Sequence, residues 1–398
     1  MSRLSKEQLT VLMKKENVTR LWSWSKVNTF LTSKYEYFLK YIKHIPEDRT
    51  DCVYAPLGSI CHSALEKYYT NQIKYDDMIT DFEDGWTMNI DVLNLKFDRN
   101  DEKKNKSISE KYKYNLKHFL KHHKPIEYKT NIEKFASVKI GENLFQGYLD
   151  CCFKDENGNV NIIDFKTSTK FSGKTIEEKT GQLVIYAMAL IQAGIPIERI
   201  KIGFNFLKYC TVEYEQSNGA KKARDIERYK IGDSLKSNAK MWLKKNEYSE
   251  KEIESYLNML IETNDIICLP QEIQNKYVFS DCYVYVPLTQ KLIDKWSNDI
   301  IATIKDIEAR EKDYQQNQNE KIFWDNEEDI KKESYYFSAS CGYSGAIHKP
   351  YGEYLQKLKD KENGKENLFD GIGSDAEKDV SNESMSEWYD LSWLDNVL

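Results

Sequence analysis

Asp164 and Lys166 stand two residues apart in the run NIIDFKTS, and Asp150 lies upstream in FQGYLDCCF, which makes a D-x13-D-x-K pattern. The residues between them predict a β-hairpin. One strand ends near Asp150 to Phe153, a polar turn spans Asp155 to Asn159, and a second strand runs from Val160 to Phe165. Along a strand, side chains alternate between faces, so Asp164 and Lys166 share one face and Phe165 takes the other. Cleaving a phosphodiester needs an activated water, charge stabilisation and help for the leaving oxygen. Hard divalent cations held by carboxylates supply these, and a lysine beside them orients water or offsets phosphate charge. The pattern alone is weak. Its context strengthens it, because Ile162, Ile163 and Phe165 mark a buried strand, where an aspartate and a lysine need a reason to be.

Two helices can bring further groups to the hairpin. In LGSICHSALEKYY, Ile60, Ala64, Leu65 and Tyr68 form an apolar side, and His62 and Glu66 are four apart on one face. A lone helical histidine is more often structural than ligating; as a nitrogen ligand, His62 favours Mn²⁺ somewhat over Mg²⁺. A second helix, expected from about Glu177 to Ala193 and closed by Gly194, carries Gln182 and Tyr186 four apart in GQLVIYA. They are either a polar pair beside the core or an amide and a phenol reaching the lysine or the substrate.

The other elements frame these. Residues 1–19 read as a short amphipathic helix. Ser25 is the expected N-cap of a helix with Val27, Phe30, Leu31, Tyr35, Phe38, Leu39 and Ile42 on its apolar side. A basic helix, KYKYNLKHFLKHHKP, ends at Pro125. Residues 127–153 alternate as strands about a turn at Gly141-Glu142-Asn143. Strands are also expected at 200–214 and in YVFSDCYVYVPL, with a long amphipathic helix after the latter. Residues 215–275, rich in Lys and Glu, read as an insertion.

The chain has 398 residues, 40% of them hydrophobic, enough for a sizeable core. The net charge of −6 is concentrated at the end: residues 369–398 hold eight acids and one lysine, so the remainder is close to neutral and compatible with phosphate binding. Eight Cys form no CxxC, which argues against a zinc knuckle or a disulfide framework and for reduced thiols in the cytoplasm. No signal-peptide core or membrane-spanning run is present, so no membrane partner is expected. The abundance of Lys, Asn, Ile and Tyr suits a phage or a low-GC bacterium.

In combination the motifs resemble the RecB-like branch of the PD-(D/E)XK nuclease superfamily. SWSKVNTFLTSKYEYFLKYI is similar to its opening helix, LGSICHSALEKYY to its G-x-x-x-H-x-x-L-E helix, FQGYLDCCF to its G-x-[IL]-D strand, NIIDFKTS to its central strand and GQLVIYAMAL to its Q-x-x-x-Y helix. The order is the family's, and the likeness covers roughly residues 22–350. It implies an α/β fold, a mixed central β-sheet flanked by helices (a restriction-endonuclease-like core), with helical insertions at about 76–124 and 215–275 in a nuclease domain of residues 1–355. It implies that His62, Asp150 and Asp164 bind Mg²⁺ or Mn²⁺ together with the backbone carbonyl of Phe165. Lys166 would be catalytic, Gln182 and Tyr186 would steady it and the DNA, and Glu66 and Glu133 would be outer-shell acids. Many relatives also bind an iron–sulfur cluster through four cysteines. Here the matching positions are Ser33, Cys341, Ser344 and His348, and one thiolate cannot make such a site, so no iron–sulfur cluster is expected.

The expected function is a metal-dependent deoxyribonuclease, an exonuclease on DNA ends or single strands in replication, recombination or repair. A non-catalytic nucleic-acid-binding or scaffold protein on the same fold, or a metal-dependent RNA endonuclease, is the alternative. Other candidates have plainer readings. His118, His122 and His123 read as a solvated basic face rather than a zinc site, and KKAR at 221–224 and KMWLKK at 240–245 as an insertion surface. Residues 356–398 read as an acidic tail without fixed structure. Its terminal aromatics, Trp388, Tyr389 and Trp393, suit docking on a replication or recombination protein.

Overall fold

The computed structural model describes residues 4–369. In chain order the elements are α1 (Lys6–Glu16), β1 (Leu21–Trp22), α2 (Trp24–Thr32), α3 (Lys34–Tyr37), α4 (Tyr54–Tyr69), α5 (Asp77–Trp86), α6 (Glu102–His122), β2 (Thr130–Ile140), β3 (Asn143–Lys154), β4 (Val160–Lys166), α7 (Lys174–Lys179), α8 (Gly181–Gln192), β5 (Ile200–Glu215), β6 (Lys221–Glu227), α9 (Ile231–Lys245), α10 (Glu250–Thr263), α11 (Gln271–Gln274), β7 (Tyr277–Val286), α12 (Gln290–Asn317), α13 (Glu327–Lys332) and α14 (Lys349–Phe369).

The seven strands form one mixed sheet. β2, β3 and β4 pair antiparallel in succession, with β1 parallel to β3 at Leu21–Trp22. β4 and β5 pair in parallel, Asp164 beside Phe204 and Lys166 beside Phe206. A parallel neighbour needs a crossover, and α7 and α8 provide it. The long β5 then pairs antiparallel with β6 and with β7, whose register slips between Asn205 and Cys210.

Both sheet faces are covered, which explains the near-continuous apolar character of β4 and β5. One face packs on α2, α3, α8 and α12 through Phe30, Tyr35, Leu183, Val184, Trp296 and Ile300. The other packs on α4, α5 and α6 through Leu57, Leu65, Phe82, Phe119 and Leu120. The outer half of the β5–β6–β7 region carries a third cluster with α9 and α10, including Leu235, Trp242, Leu257 and Leu260.

Several local expectations shift. Ser23, not Ser25, caps α2, accepting from the Lys26 amide at 3.4 Å. The helix expected from about Glu177 divides at Thr180. Its hydroxyl donates to the Glu177 carbonyl and accepts from Trp296 Nε1 at 3.0 Å. Gly181 then opens α8 because a Cβ there would lie 2.2 Å from the Trp24 ring. KKAR is the start of strand β6, since its charged side chains stay exposed while the backbone pairs with β5. The boundary expected at residue 355 falls inside α14, so the acidic tail begins as helix as far as Phe369; the terminal aromatics lie outside the described residues.

The three histidines also differ from a solvated basic face. His123 is buried, its Nδ1 2.6 Å from Asp281 and its Nε2 2.8 Å from the Tyr69 hydroxyl. His118 stacks on His122 and faces Arg228. Burial, then the Arg228 charge, push the His118 pKa down to about 3.

Candidate active site

β3 and β4 set the first two carboxylates. Cys151 pairs with Ile163, so extending the register by one residue puts Asp150 opposite Asp164. Both are buried, Asp164 with 4% of its surface exposed. Asp164 Oδ2 lies 2.5 Å from Lys166 Nζ, the two side chains sharing one face of the strand end. Asp150 Oδ2 accepts from the Phe165 amide at 3.1 Å, which ties the two strands where they diverge. Burial and then the Asp164 charge raise the Asp150 pKa well above the usual carboxylate range. Burial alone would lower the Lys166 pKa, but Asp164 and Asp150 outweigh it and raise it. Two carboxylates crowded out of water are a demand for positive charge that one lysine only partly meets.

α4 brings His62 to the same corner. Its Nε2 lies 2.9 Å from the Phe165 carbonyl. A carbonyl only accepts, so Nε2 carries a hydrogen, and in the neutral ring the lone pair is then on Nδ1. That Nδ1 is 3.7 Å from Asp150 Oδ2. The Phe165 carbonyl therefore spends one lone pair on orienting His62, and its second remains for a metal.

β2 brings a third acid to this corner. Glu133 lies across from Asp150, at the one place where the β2–β3 pairing is interrupted. Its backbone is left-handed, φ 50°, inside a strand of otherwise extended residues. Such a conformation costs a non-glycine residue about 1–3 kcal/mol and concentrates at functional sites. His62, Glu133 and Asp150 each offer a ligand atom within 4.8 Å of the other two. Glu133 thus stands within reach of His62 and Asp150, while Glu66 lines the adjoining cavity one turn beyond His62. An acid in a strand carries no sequence mark of a left-handed backbone, so only the strand break could reveal it.

Gln182 and Tyr186 meet at 3.3 Å on α8. The Tyr186 ring presses on β3: a Cβ at Gly147 would come within 2.7 Å of its hydroxyl, which accounts for glycine there. Burial raises the Tyr186 pKa, with Asp150 and Asp164 adding to it, so the phenol stays protonated beside the carboxylates.

A cavity of about 340 Å³ opens onto this corner, lined by Ala55, Gly58, Ser59, His62, Glu133 and Tyr148 among others. A larger cleft of about 830 Å³ lies by the β3–β4 turn, at the other end of β4 from Lys166, lined by Tyr128, Tyr283 and Tyr285; the clustered acids and Lys166 are not in it. The donor set at the small cavity, one imidazole and several carboxylates around a charge deficit, fits a divalent cation.

The four positions where an iron–sulfur cluster would be held do not fit one. Ser33 Oγ donates to Asp325 at 2.5 Å and lies 3.0 Å from His348 Nε2. Cys341 donates to Glu36, and Ser344 donates to Asp48. Separate hydrogen-bonded contacts, to Asp325, Glu36 and Asp48, stand where four thiolates would converge.

With sheet, crossover and acidic corner in place, the chain fits the restriction-endonuclease-like α/β class. The family model of the PD-(D/E)XK nuclease superfamily matches residues 21–343, and the chain belongs to that superfamily. Its members are metal-dependent nucleases, and divalent cations serve them. No curated protein matches the chain significantly. Among solved structures, the crystal structure of SSO0001 is similar at 13% identity and a TM-score of 0.16, over 50% of this chain and 76% of that one; so low a score carries no argument. No described helix is long and apolar enough to cross a membrane.

Proposed function

We propose that the protein is a metal-dependent deoxyribonuclease of the RecB-like branch. It works as an exonuclease on DNA ends or single strands during replication, recombination or repair in the cytoplasm. One observation carries the reading: His62, Glu133 and Asp150 converge within 4.8 Å beside the Asp164–Lys166 pair. His62 through Nδ1, with Asp150, Asp164 and Glu133, would hold Mg²⁺ or Mn²⁺, with the Phe165 carbonyl as a further oxygen ligand. The bound cation supplies Lewis acidity and lowers the pKa of a water.

The side chains do the rest. Lys166, kept charged by Asp164 and Asp150, orients the attacking water and offsets charge on the phosphate in the transition state. His62 fixes its own orientation through the Phe165 carbonyl, the usual way a ligating imidazole is aimed. Tyr186 and Gln182 hold β3 and the strand end in register and offer neutral donors to DNA. The terminal segment with Trp388 and Trp393 docks on a replication or recombination protein.

The test is direct. Wild type and Asp164→Ala are incubated with labelled linear and circular, single- and double-stranded DNA, and with RNA, in Mg²⁺ or Mn²⁺. Metal-dependent cutting of linear DNA by wild type only is expected. Equal behaviour of the two proteins would leave a binding or scaffold role, and cutting of RNA alone would make it a ribonuclease. Deleting residues 370–398 should spare cutting and weaken partner capture.

A further inference from the structure

α4 carries more than His62. Besides His62 and Glu66, its cavity-facing residues are small, Ala55, Gly58, Ser59 and Ser63, and they form an open floor beside the acidic corner. Gly58 also lies by Thr167, just past the end of β4; a Cβ there would be 3.8 Å from Thr167 Oγ1. At the N-terminal end of this floor the helix begins with Tyr54. His62 is eight positions further along the helix, about 12 Å at 1.5 Å per residue.

Tyr54 is locked. Its ring packs edge-on against Phe97 at 5.6 Å and Tyr112 at 6.0 Å. Its hydroxyl lies 3.2 Å from the Phe97 carbonyl and 2.6 Å from the Tyr335 hydroxyl. The carbonyl must accept the Tyr54 proton, so Tyr335 donates to Tyr54. Tyr335 is thereby fixed at its tip, yet 46% of its surface is exposed, one of the most exposed aromatics described. A ring so anchored and so bare has no packing role in the core clusters. Lys104, paired with Asp98 at 2.9 Å, neutralises the acid within electrostatic reach of it.

We propose that Tyr335, held by Tyr54 at the N-terminal end of α4, is a base-stacking platform that makes the enzyme prefer single-stranded nucleic acid. The proposal rests on the nuclease reading of the same site and deepens it. Every base has a π-face, so stacking is tolerant of sequence. A base inside a duplex is already stacked and paired and cannot offer that face, whereas an unpaired base can. The distance along α4 leaves room for a few nucleotides between the platform and the acidic corner. The small floor residues let the backbone lie close to the helix. Rigid aromatic anchors lose little conformational freedom on binding, and the Tyr335–Tyr54 hydrogen bond settles that cost in advance.

The experiment uses the full chain. In an Asp164→Ala background, which does not cut, Tyr335→Ala should weaken binding of a labelled single-stranded oligonucleotide on the order of tenfold and leave duplex binding nearly unchanged. Tyr335→Phe, which keeps the ring, should retain most of the affinity. In otherwise wild-type protein, Tyr335→Ala should raise KM for single strands more than it lowers kcat. As a second measurement on unmutated protein, a 5-iodouracil oligonucleotide should photocrosslink to Tyr335. Equal single-strand affinity with and without the ring, equal losses for single strand and duplex, or a crosslink that maps elsewhere would overturn the proposal while leaving the nuclease reading intact. Failure of wild type to cut or bind any nucleic acid would overturn both.

Discussion

His62 donates through Nε2 to the Phe165 carbonyl at 2.9 Å, and that single bond ties helix α4 to the strand that carries Asp164 and Lys166. It also decides which ring nitrogen faces Asp150. Helix, strand and ligand orientation are thus coupled through one contact.

That coupling makes His62 sensitive to conservative change. His62→Ala should lower metal affinity and activity by at least about 10–100-fold, the range already seen when only a ligand's orienting partner is lost. His62→Asp should recover part of the Mg²⁺-supported activity but less of that with Mn²⁺, because an imidazole is replaced by a hard oxygen donor. Metal titration followed by calorimetry, with activity in each cation, checks both. Unaltered metal binding in His62→Ala would remove the residue from the ligand set.

Glu133 holds a left-handed backbone, and glycine adopts that conformation without steric penalty. Glu133→Gly should therefore raise the metal-free melting temperature, or at least not lower it, by relieving about 1 kcal/mol of strain. Divalent-cation affinity and activity should fall at the same time. Glu133→Gln keeps the strain and should lose only the second pair of properties. Calorimetric melts beside metal titrations separate stability from function.

Lys208 has 5% of its surface exposed, with Tyr112 at 4.2 Å from its ammonium and Glu227 at 3.9 Å. Burial lowers its pKa to about 8, and Glu227 only partly opposes this. The folded value lies below the unfolded one near 10.5, so the unfolded chain binds the proton more tightly. Below pH 8 the native state carries the full cost, and stability recovers as pH rises from about 8 towards 10.5. Lys208→Met should stabilise the protein at pH 7 by roughly 1–3 kcal/mol, and the gain should shrink across that window. Urea melts at pH 7 and pH 10 measure it. A gain of equal size at both pH values would show that packing, not charge burial, is responsible.

Much of the acidic corner was legible because its information is local. Period-two alternation puts Asp164 and Lys166 on one face whatever surrounds them, and the Asp155–Asn159 turn brings Asp150 back beside them. Helical periodicity sets His62 and Glu66 on one side of α4, and Gln182 and Tyr186 together on α8. The layered α/β architecture was legible for the same reason, from alternating apolar strands and amphipathic helices. β6 escaped notice because exposed lysines hide a strand whose partner is a long neighbour rather than a core. His118 and His123, at the end of α6, escaped because their partners, Arg228 and Asp281, are distant in the chain.

By themselves, then, the residues determined the hairpin, the helix faces and the chemical type of the candidate ligands, since these follow from backbone periodicity and side-chain identity. Tertiary structure alone decided that Glu133 belongs with His62 and Asp150, that the Phe165 carbonyl orients the imidazole, and that Ser33 meets His348. Each of these depends on a strand break, a helix docking or a chain closure over hundreds of residues. No local pattern encodes them, because the energy that selects them comes from packing both faces of one sheet at once.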